Sequence, residues 1–261
     1  MIRVQRGPAP PLLSENADAW AQELCQKWSW YYHELGQQAA GPKAKPPHAD
    51  KARYASLAVK RALKQMFGTK CCYCEAKVDV VSYRHVEHFR PQSIYPLLAY
   101  KWSNLLFACE RCNSTHKGDR FPLGMNGTQS QPNRTSPCAL DDKDDGVLID
   151  PCRDDPSEHF EYEFIERPEE DFIDVVLVCK SRRGELSRDV YGLTRVDLVD
   201  DWREHILGIQ NDIDGYLLAL AIGDRRLQRR FGAYLRKAMA STSPYSAMTR
   251  SYIEKKRGLN I

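Results

Sequence analysis

The sequence predicts an α+β fold, with mostly helical regions at both ends around a small metal-braced centre. Three observations carry this reading. Apolar residues recur every three to four positions near both termini. Two Cys-x-x-Cys pairs, Cys71/Cys74 and Cys109/Cys112, sit in the middle. Two runs, Phe160-Glu-Tyr162-Glu-Phe164 and Phe172-Ile-Asp-Val-Val-Leu-Val-Cys179, alternate or cluster like strands. With 261 residues the chain can bury a sizeable core. These patterns divide it into a helical region over 1–67, a knuckle-bearing core over 68–122, an acidic loop with short strands over 123–180, and a second helical region over 181–261.

In chain order, Asn16 is placed to cap a helix running to about residue 35, with Trp20, Leu24 and Trp28 along one face. The Pro- and Gly-containing stretch from Gly41 to Pro47 reads as a loop. A second helix is expected over about 50–67, with Tyr54, Ala58, Ala62 and Met66 as its apolar stripe. These aromatic and apolar stripes read as core. Residues 121–146 are polar and end in Asp141-Asp142-Lys143-Asp144-Asp145, which predicts a long exposed loop. Val147-Leu148-Ile149 reads as a short strand. After Arg195 the spacing of Leu198, Trp202, Ile206, Ile209, Ile213, Leu217 and Leu218 is helical again. Gly223 breaks it, a helix follows from Asp224 to about Met239, and a last one starts near Ser243-Pro244.

Composition narrows the function classes. No apolar run approaches a membrane span, and the first residues lack the apolar stretch of a signal peptide, so a cytoplasmic protein is expected. Nine cysteines, an odd number, at knuckle spacing and without a signal, favour metal thiolates in a reducing compartment over disulfides. The net charge of +3 is segregated: residues 1–70 carry +6, 71–120 carry +2, 121–180 carry −10 and 181–261 carry +5. A polyanion would meet the ends and the centre more readily than the acidic block, although charged faces are also simply what solvates a surface.

Zinc takes soft, deprotonated ligands in a tetrahedron, and each Cys-x-x-Cys turn offers two. Cys71, Cys74, Cys109 and Cys112 would fill the shell, leaving no position for water, so this zinc would be structural. The doublet Cys71-Cys72 leaves a choice of register; Cys71 has the knuckle spacing to Cys74, so Cys72 reads as a bystander. Cys25, Cys138, Cys152 and Cys179 lack such pairing and read as core or loop residues. The second knuckle is expected to open a helix over about 110–119, whose N-terminus would favour the Cys112 thiolate.

Between the knuckles lies Arg84-His85-Val86-Glu87-His88-Phe89-Arg90-Pro91, the end of a strand followed by a loop. A lone histidine on a strand is usually structural. His88, however, follows a carboxylate and lies between the two Cys pairs, with Asn104-Leu-Leu106 before the second pair and Asn113 directly after it. This arrangement resembles the ββα-metal unit of HNH nucleases, here merged with a treble-clef-like zinc frame. The resemblance implies that His88 is a general base acting on water and that Glu87 and Asn113 hold one divalent ion. Magnesium or manganese suits such oxygen donors. Asn104 would brace the loop and orient His88, whose ordinary titration near neutrality suits a base. Lys117 and His116 are candidates for a phosphate contact or a further ligand, and Arg90 and Arg84 either steer phosphates or are salt-bridged structural residues. Asn113 stands where other HNH nucleases carry His, which favours a hard cation.

The run from Val86 to Pro122 resembles one HNH family more closely, the PtuB nucleases of Septu-type and retron-associated anti-phage defence. Residues 148–159 and 190–199 extend the likeness, while Gln92 and Ser103 depart from the charged residues expected there. The resemblance implies an effector that cuts nucleic acid, with DNA favoured and tRNA as the alternative substrate. It also implies an ABC-type ATPase partner of the PtuA kind or, in a retron setting, a reverse transcriptase and its multicopy DNA. The acidic block is then a candidate docking surface. A different class, a zinc-braced binding module without catalysis, conflicts with the intact Glu87, His88, Asn104 and Asn113 set.

Overall fold

A proline pair sets where the chain first becomes helical. Leu13 and Ser14 donate backbone hydrogen bonds to the Pro10 carbonyl, and helix α1 (Pro11–Gln37) begins with a proline where no amide donor is needed. Asn16 is therefore not the cap: it lies in the second turn and donates to the Leu12 carbonyl. The computed structural model describes residues 1–37, 45–78, 85–139, 145–167, 169 and 172–256. The segment 41–44 of the expected loop, Arg84, Asp141, Asp142, Asp144 and Glu170 fall outside these.

The single helix expected over 50–67 is two. Asp50 caps α2 (Lys51–Tyr54) by accepting from Ala52, and Ser56 restarts the chain as α3 (Leu57–Phe67) by accepting from Val59. The break shifts the buried stripe by one residue, to Ala55, Val59, Leu63 and Phe67, while Ala58 is exposed. Propensity does not forbid the continuous helix; the local Asx and Ser caps compete with it.

At the centre, β1 (His85–His88) pairs antiparallel with β2 (Leu105–Ala108), with Glu87 opposite Leu106 and His88 opposite Leu105. All four β2 residues are buried. Short 3₁₀ turns at Pro96–Leu98 and Trp102–Asn104 fill the connection. α1 packs Ala17, Ala21, Leu24 and Trp28 over this connection, against Ala99 and Tyr100. The expected helix after the second knuckle is a wide π-helical turn, Arg111–Lys117, closed by Gly118 at φ 51°, whose amide reaches back to the Asn113 carbonyl at 2.6 Å. Beyond it the polar stretch is not all open loop. A small hairpin, β3 (Pro122–Leu123) with β4 (Thr128–Gln129), is flanked by buried Phe121 and Ser130. Residues 147–149 are buried but form no strand; Gly146 alone bridges to Leu123.

The C-terminal half packs a hairpin on helices. β5 (Phe160–Arg167) and β6 (Phe172–Cys179) pair along their whole length, from Phe160 opposite Cys179 to Arg167 opposite Phe172. Alternate residues Phe160, Tyr162, Ile173, Val175 and Leu177 face inward. Helix α4 (Arg182–Tyr191), unmarked by any strong periodicity, is capped by Ser181 and leans on the π turn. α5 (Val196–Ala221) buries Leu198, Trp202, Ile206, Ile209 and Ile213, then Tyr216 and Ala219; Leu217 and Leu218, expected in that stripe, face out. α6 (Arg225–Ala238) starts at the Asp224 cap after Gly223 at φ 73°, and α7 (Ser246–Lys255) closes the chain against β5. One apolar cluster runs from Met1 to Ile253 through the knuckles. Trp202, 2% exposed and edge-on to Tyr162 at 5.7 Å, lies at its C-terminal end. Trp202→Ala is expected to cost about 3–5 kcal/mol, read as a lower urea midpoint.

Several carboxylates of the acidic segment are answered inside the molecule. Asp154 pairs with Arg183 at 2.9 Å, Asp174 with Arg203 at 2.9 Å, and Glu166 with Lys256 at 2.6 Å. The charge segregation seen in the sequence is thus partly used to join the 121–180 segment to the basic C-terminal helices. Among the described residues no helix is long and apolar enough to cross a membrane.

Candidate active site and metal centre

The first knuckle is a tight turn. Glu75 donates its amide to the Cys71 carbonyl and Cys71 donates to Ala76, while Cys72 donates to Phe107 of β2 at 2.8 Å. At Glu75 the backbone enters the left-handed region, φ 59°, where glycine is the usual occupant. The Glu75 side chain holds this turn in place: it accepts from Lys70, Ser246 and the Ala247 amide and lies 3.2 Å from the Met1 ammonium. β2 leads directly into the second knuckle. A two-stranded unit therefore ties both Cys pairs to the strand that ends in His88.

The sulfurs of Cys71, Cys74, Cys109 and Cys112 all lie within 4.8 Å of one another, and Cys74 and Cys109 are 3.8 Å apart. Zinc–sulfur bonds of about 2.3 Å in a tetrahedron give sulfur–sulfur edges of about 3.8 Å, whereas a disulfide needs about 2.05 Å. The donor set and spacing fit a closed zinc site. Cys72, buried nearby, is outside the cluster. Arg195 was not singled out by the sequence, yet its Nη1 lies 3.6 Å from Cys112 Sγ while also bonding the Gly192 carbonyl. A guanidinium there offsets thiolate charge; only the fold brings it in, from 83 residues away.

A cavity of about 260 Å³ opens beside this frame and is bordered by Glu87, His88 and Asn113, with Lys51, Tyr54, Gln92, Ser114 and Asp119. His88 is 7% exposed. Its Nε2 lies 2.8 Å from the Ala99 carbonyl, which can only accept, so Nε2 carries the proton and Nδ1 is left as the acceptor. The Tyr54 ring packs edge-on against the imidazole at 4.6 Å. Asn104 secures this arrangement: Oδ1 accepts from the Arg90 amide at 2.8 Å, and Nδ2 donates to Arg90 O at 3.0 Å and Leu98 O at 3.1 Å. One amide thus clamps the residues flanking both His88 and the carbonyl that sets its tautomer. Burial pushes His88 down to about 4, so it does not titrate near neutrality as expected. It is neutral at pH 7 and able to accept a proton. An anionic substrate beside it would raise its basicity.

Glu87 is 2% exposed, and burial pushes its carboxyl up against the pull of Lys117. Lys117 Nζ sits 2.8 Å from Glu87 Oε1 and donates to the His88 carbonyl at 3.0 Å; the Tyr73 hydroxyl reaches the same Oε1 at 3.2 Å. Expected at a phosphate, Lys117 is instead 1% exposed and turned inward. His116 packs on Gly192, so closely that a Cβ there would meet its ring at 2.3 Å, and does not border the cavity. Arg90 is buried over Phe121 at 4.8 Å and Tyr95 at 5.7 Å, not displayed for phosphate. Gln92 borders the cavity but accepts from the Ala49 amide at 2.6 Å.

Among the described residues, the four cysteines are the one group of three or more His, Cys, Asp or Glu side chains close enough to share an ion. A second ion at the cavity would find the Glu87 and Asn113 oxygens there, with the Asp119 carboxylate on the same border. Among the described residues Glu87 Oε2 receives no hydrogen bond, so it is free to take one. A hard cation that keeps most of its water fits this sparse oxygen set. Lys117→Met would strand the Glu87 charge, at about 3–5 kcal/mol. The expected result is a lower melting temperature that magnesium restores further than it raises the wild type.

The site is of the HNH class: the HNH endonuclease family model matches residues 71–119, which hold the four cysteines, Glu87, His88, Asn104 and Asn113. The chain is similar to Septu protein PtuB. It is 33% identical over 217 residues to the PtuB of Bacillus mycoides (strain KBAB4), across 77% of this chain and 65% of that protein. It is also 44% identical over 78 residues to the PtuB of Bacillus thuringiensis, across 28% of this chain and 30% of that protein. A third relative, Septu protein PtuA of B. mycoides, is 28% identical over 155 residues, across 54% of this chain and 20% of that one. The chain spans less than two thirds of the length of each of these relatives. No solved structure matches it.

Proposed function

We propose that this chain is a metal-dependent endonuclease that hydrolyses phosphodiester bonds as part of a Septu-type defence system. The single observation that carries the reading is the neutral, tautomer-fixed His88 beside Glu87 and Asn113 in a domain matched by the HNH family. On this reading His88 Nδ1 takes the proton of the attacking water. Asn104 holds the His88 loop rigid, and the Ala99 carbonyl keeps Nε2 protonated and stabilises the imidazolium that forms. Glu87 and Asn113 would hold magnesium or manganese, which would supply charge to offset that developing on the phosphorane and leaving oxygen. Zinc at the four cysteines supports a treble-clef-like frame and takes no part in the chemistry.

Water activated by a base needs no 2′-hydroxyl, so this chemistry serves DNA and RNA alike, with DNA favoured as the substrate of a defence nuclease. The Septu relatives favour a PtuA-like ATPase as partner over a retron reverse transcriptase. The acidic residues at 141–145 with Glu169 and Glu170 are its proposed dock. The test is incubation of the full chain, with and without co-expressed PtuA, with phage DNA and with total tRNA in magnesium. Cutting of either that is lost in His88→Ala supports the nuclease reading. No cutting under any condition, with zinc bound and the fold intact, favours a binding module instead. Reversing Asp141, Asp142, Asp144 and Asp145 to Lys should weaken PtuA pull-down; unchanged assembly removes the acidic block from the interface.

A further inference from the structure

We propose that a second cavity, sharing a wall with the catalytic one, receives a nucleobase next to the phosphate being cut, so that the substrate is single-stranded or unpaired at the cut. This rests on the nuclease reading above. The cavity measures about 430 Å³ and is bordered by Trp28, Tyr32, Ser93, Ile94, Asp119 and Arg120, with the 129–132 segment across from them. Asp119 borders both cavities, and Gln92 of the catalytic cavity is followed at once by Ser93 of this one. A strand with its phosphate at His88 has a neighbouring base within reach.

Two buried donors here have no partner. Trp28 Nε1 and Ser93 Oγ are inaccessible to solvent and make no hydrogen bond among the described residues, although Trp28 is only 5% exposed. A buried polar group left unpaired costs about 1–3 kcal/mol, and such groups in native structures call for an explanation, a ligand among them. Both residues border the same cavity, and an acceptor on a base edge reaches the indole N–H or the hydroxyl only once these side chains turn toward it, since neither atom is exposed here.

The walls also suit a planar ring. Trp28 stacks on Tyr32 with centroids 5.3 Å apart and planes at 29°, while Tyr31 meets Trp28 edge-on at 5.6 Å. Tyr32 is half-buried, so this braced stack presents a partly open aromatic ring. Arg120 at this cavity has its Nη2 occupied by the His116 and Val190 carbonyls, the latter at 3.1 Å, and Asp119 beside it balances its charge, so the cavity has no net positive pull. A neutral, stackable group with acceptors on its edge remains. Bases inside a duplex are stacked on each other and cannot enter, so only an unpaired or flipped base can.

The experiment measures binding without cutting. The full-length protein in calcium is titrated with a single-stranded DNA 12-mer carrying 2-aminopurine at successive positions, with its RNA counterpart, and with the duplex. Wild type should bind the single strands more tightly than the duplex and change the 2-aminopurine emission at one position. Tyr32→Ala should weaken single-strand binding about tenfold, as loss of one stacked base predicts, and abolish that emission change. Ser93→Ala, which removes an unpaired hydroxyl and so should fold normally, should weaken it about threefold. Duplex affinity should not move. If Ser93→Ala and a normally melting Tyr32→Ala bind the single strands like wild type, the cavity holds water only and the inference fails, whether or not the protein cuts. If the emission change depends on Tyr32 but nothing is ever cut, the base site stands and the nuclease reading falls.

Discussion

Replacing His88 by alanine is expected to lower the rate of phosphodiester cleavage by about 10²–10⁴-fold, the usual contribution of a positioned general base. The loss should appear in kcat under saturating substrate, with affinity for nucleic acid little changed. The variant should keep its zinc, because the imidazole bonds the Ala99 carbonyl and packs on Tyr54 without touching the cysteines. His88→Gln tests the same point with less disturbance, since the amide can still donate to Ala99 but cannot take a proton at pH 7. Cleavage at wild-type rate by either variant, measured on whichever nucleic acid the wild type cuts, would remove His88 from the mechanism.

The largest effect on stability is expected from Cys109→Ser. A structural zinc contributes apparent binding energies of about 10–16 kcal/mol in small zinc domains, comparable to the whole stability of a typical protein, about 5–15 kcal/mol. Losing one of four thiolates should release the ion and open the centre, because β2 joins the second knuckle to the first through the Cys72–Phe107 hydrogen bond. Metal analysis should show less than one zinc per chain, and far-ultraviolet circular dichroism a broadened, lower melt. Cys72→Ser is the control: its thiol lies outside the cluster, so full zinc content is expected. A Cys109→Ser protein that melts like wild type would mean that the four sulfurs do not brace the fold.

Legibility in the sequence followed the physics of each signal. The cysteine cluster was readable because ligand spacing within a knuckle is fixed by covalent reach, so Cys71 could be chosen over Cys72 from numbers alone. The β5–β6 hairpin and the long α5 stripe also announced themselves through their spacing, and the strand ending in His88 through its local run, but its partner β2 did not. Phases and directions did not. The stripe of α3 was misplaced by one residue because a serine cap interrupts an otherwise plausible helix. Lys117 was expected at the surface, but the π-helical turn and a buried Glu87 draw it inward. His116 and Arg90 are ordinary surface or ligand residues in a one-dimensional reading; only tertiary packing places one on Gly192 and the other between aromatic rings. Burial also decides how His88 titrates. Tyr73 and Arg195 gave no signal, and Tyr54 read only as core, since each reaches the site through contacts that no local spacing encodes.

The Lys117–Glu87 pair bears on how such a protein is stored in a cell. A carboxylate set aside for a cutting ion is normally a liability until that ion arrives. Here Lys117 acts as a resident counter-ion on one oxygen and leaves the other uncovered. On the proposed reading, the ion-free protein stays charge-paired and folded at Glu87, and a cation would complete the site without refolding.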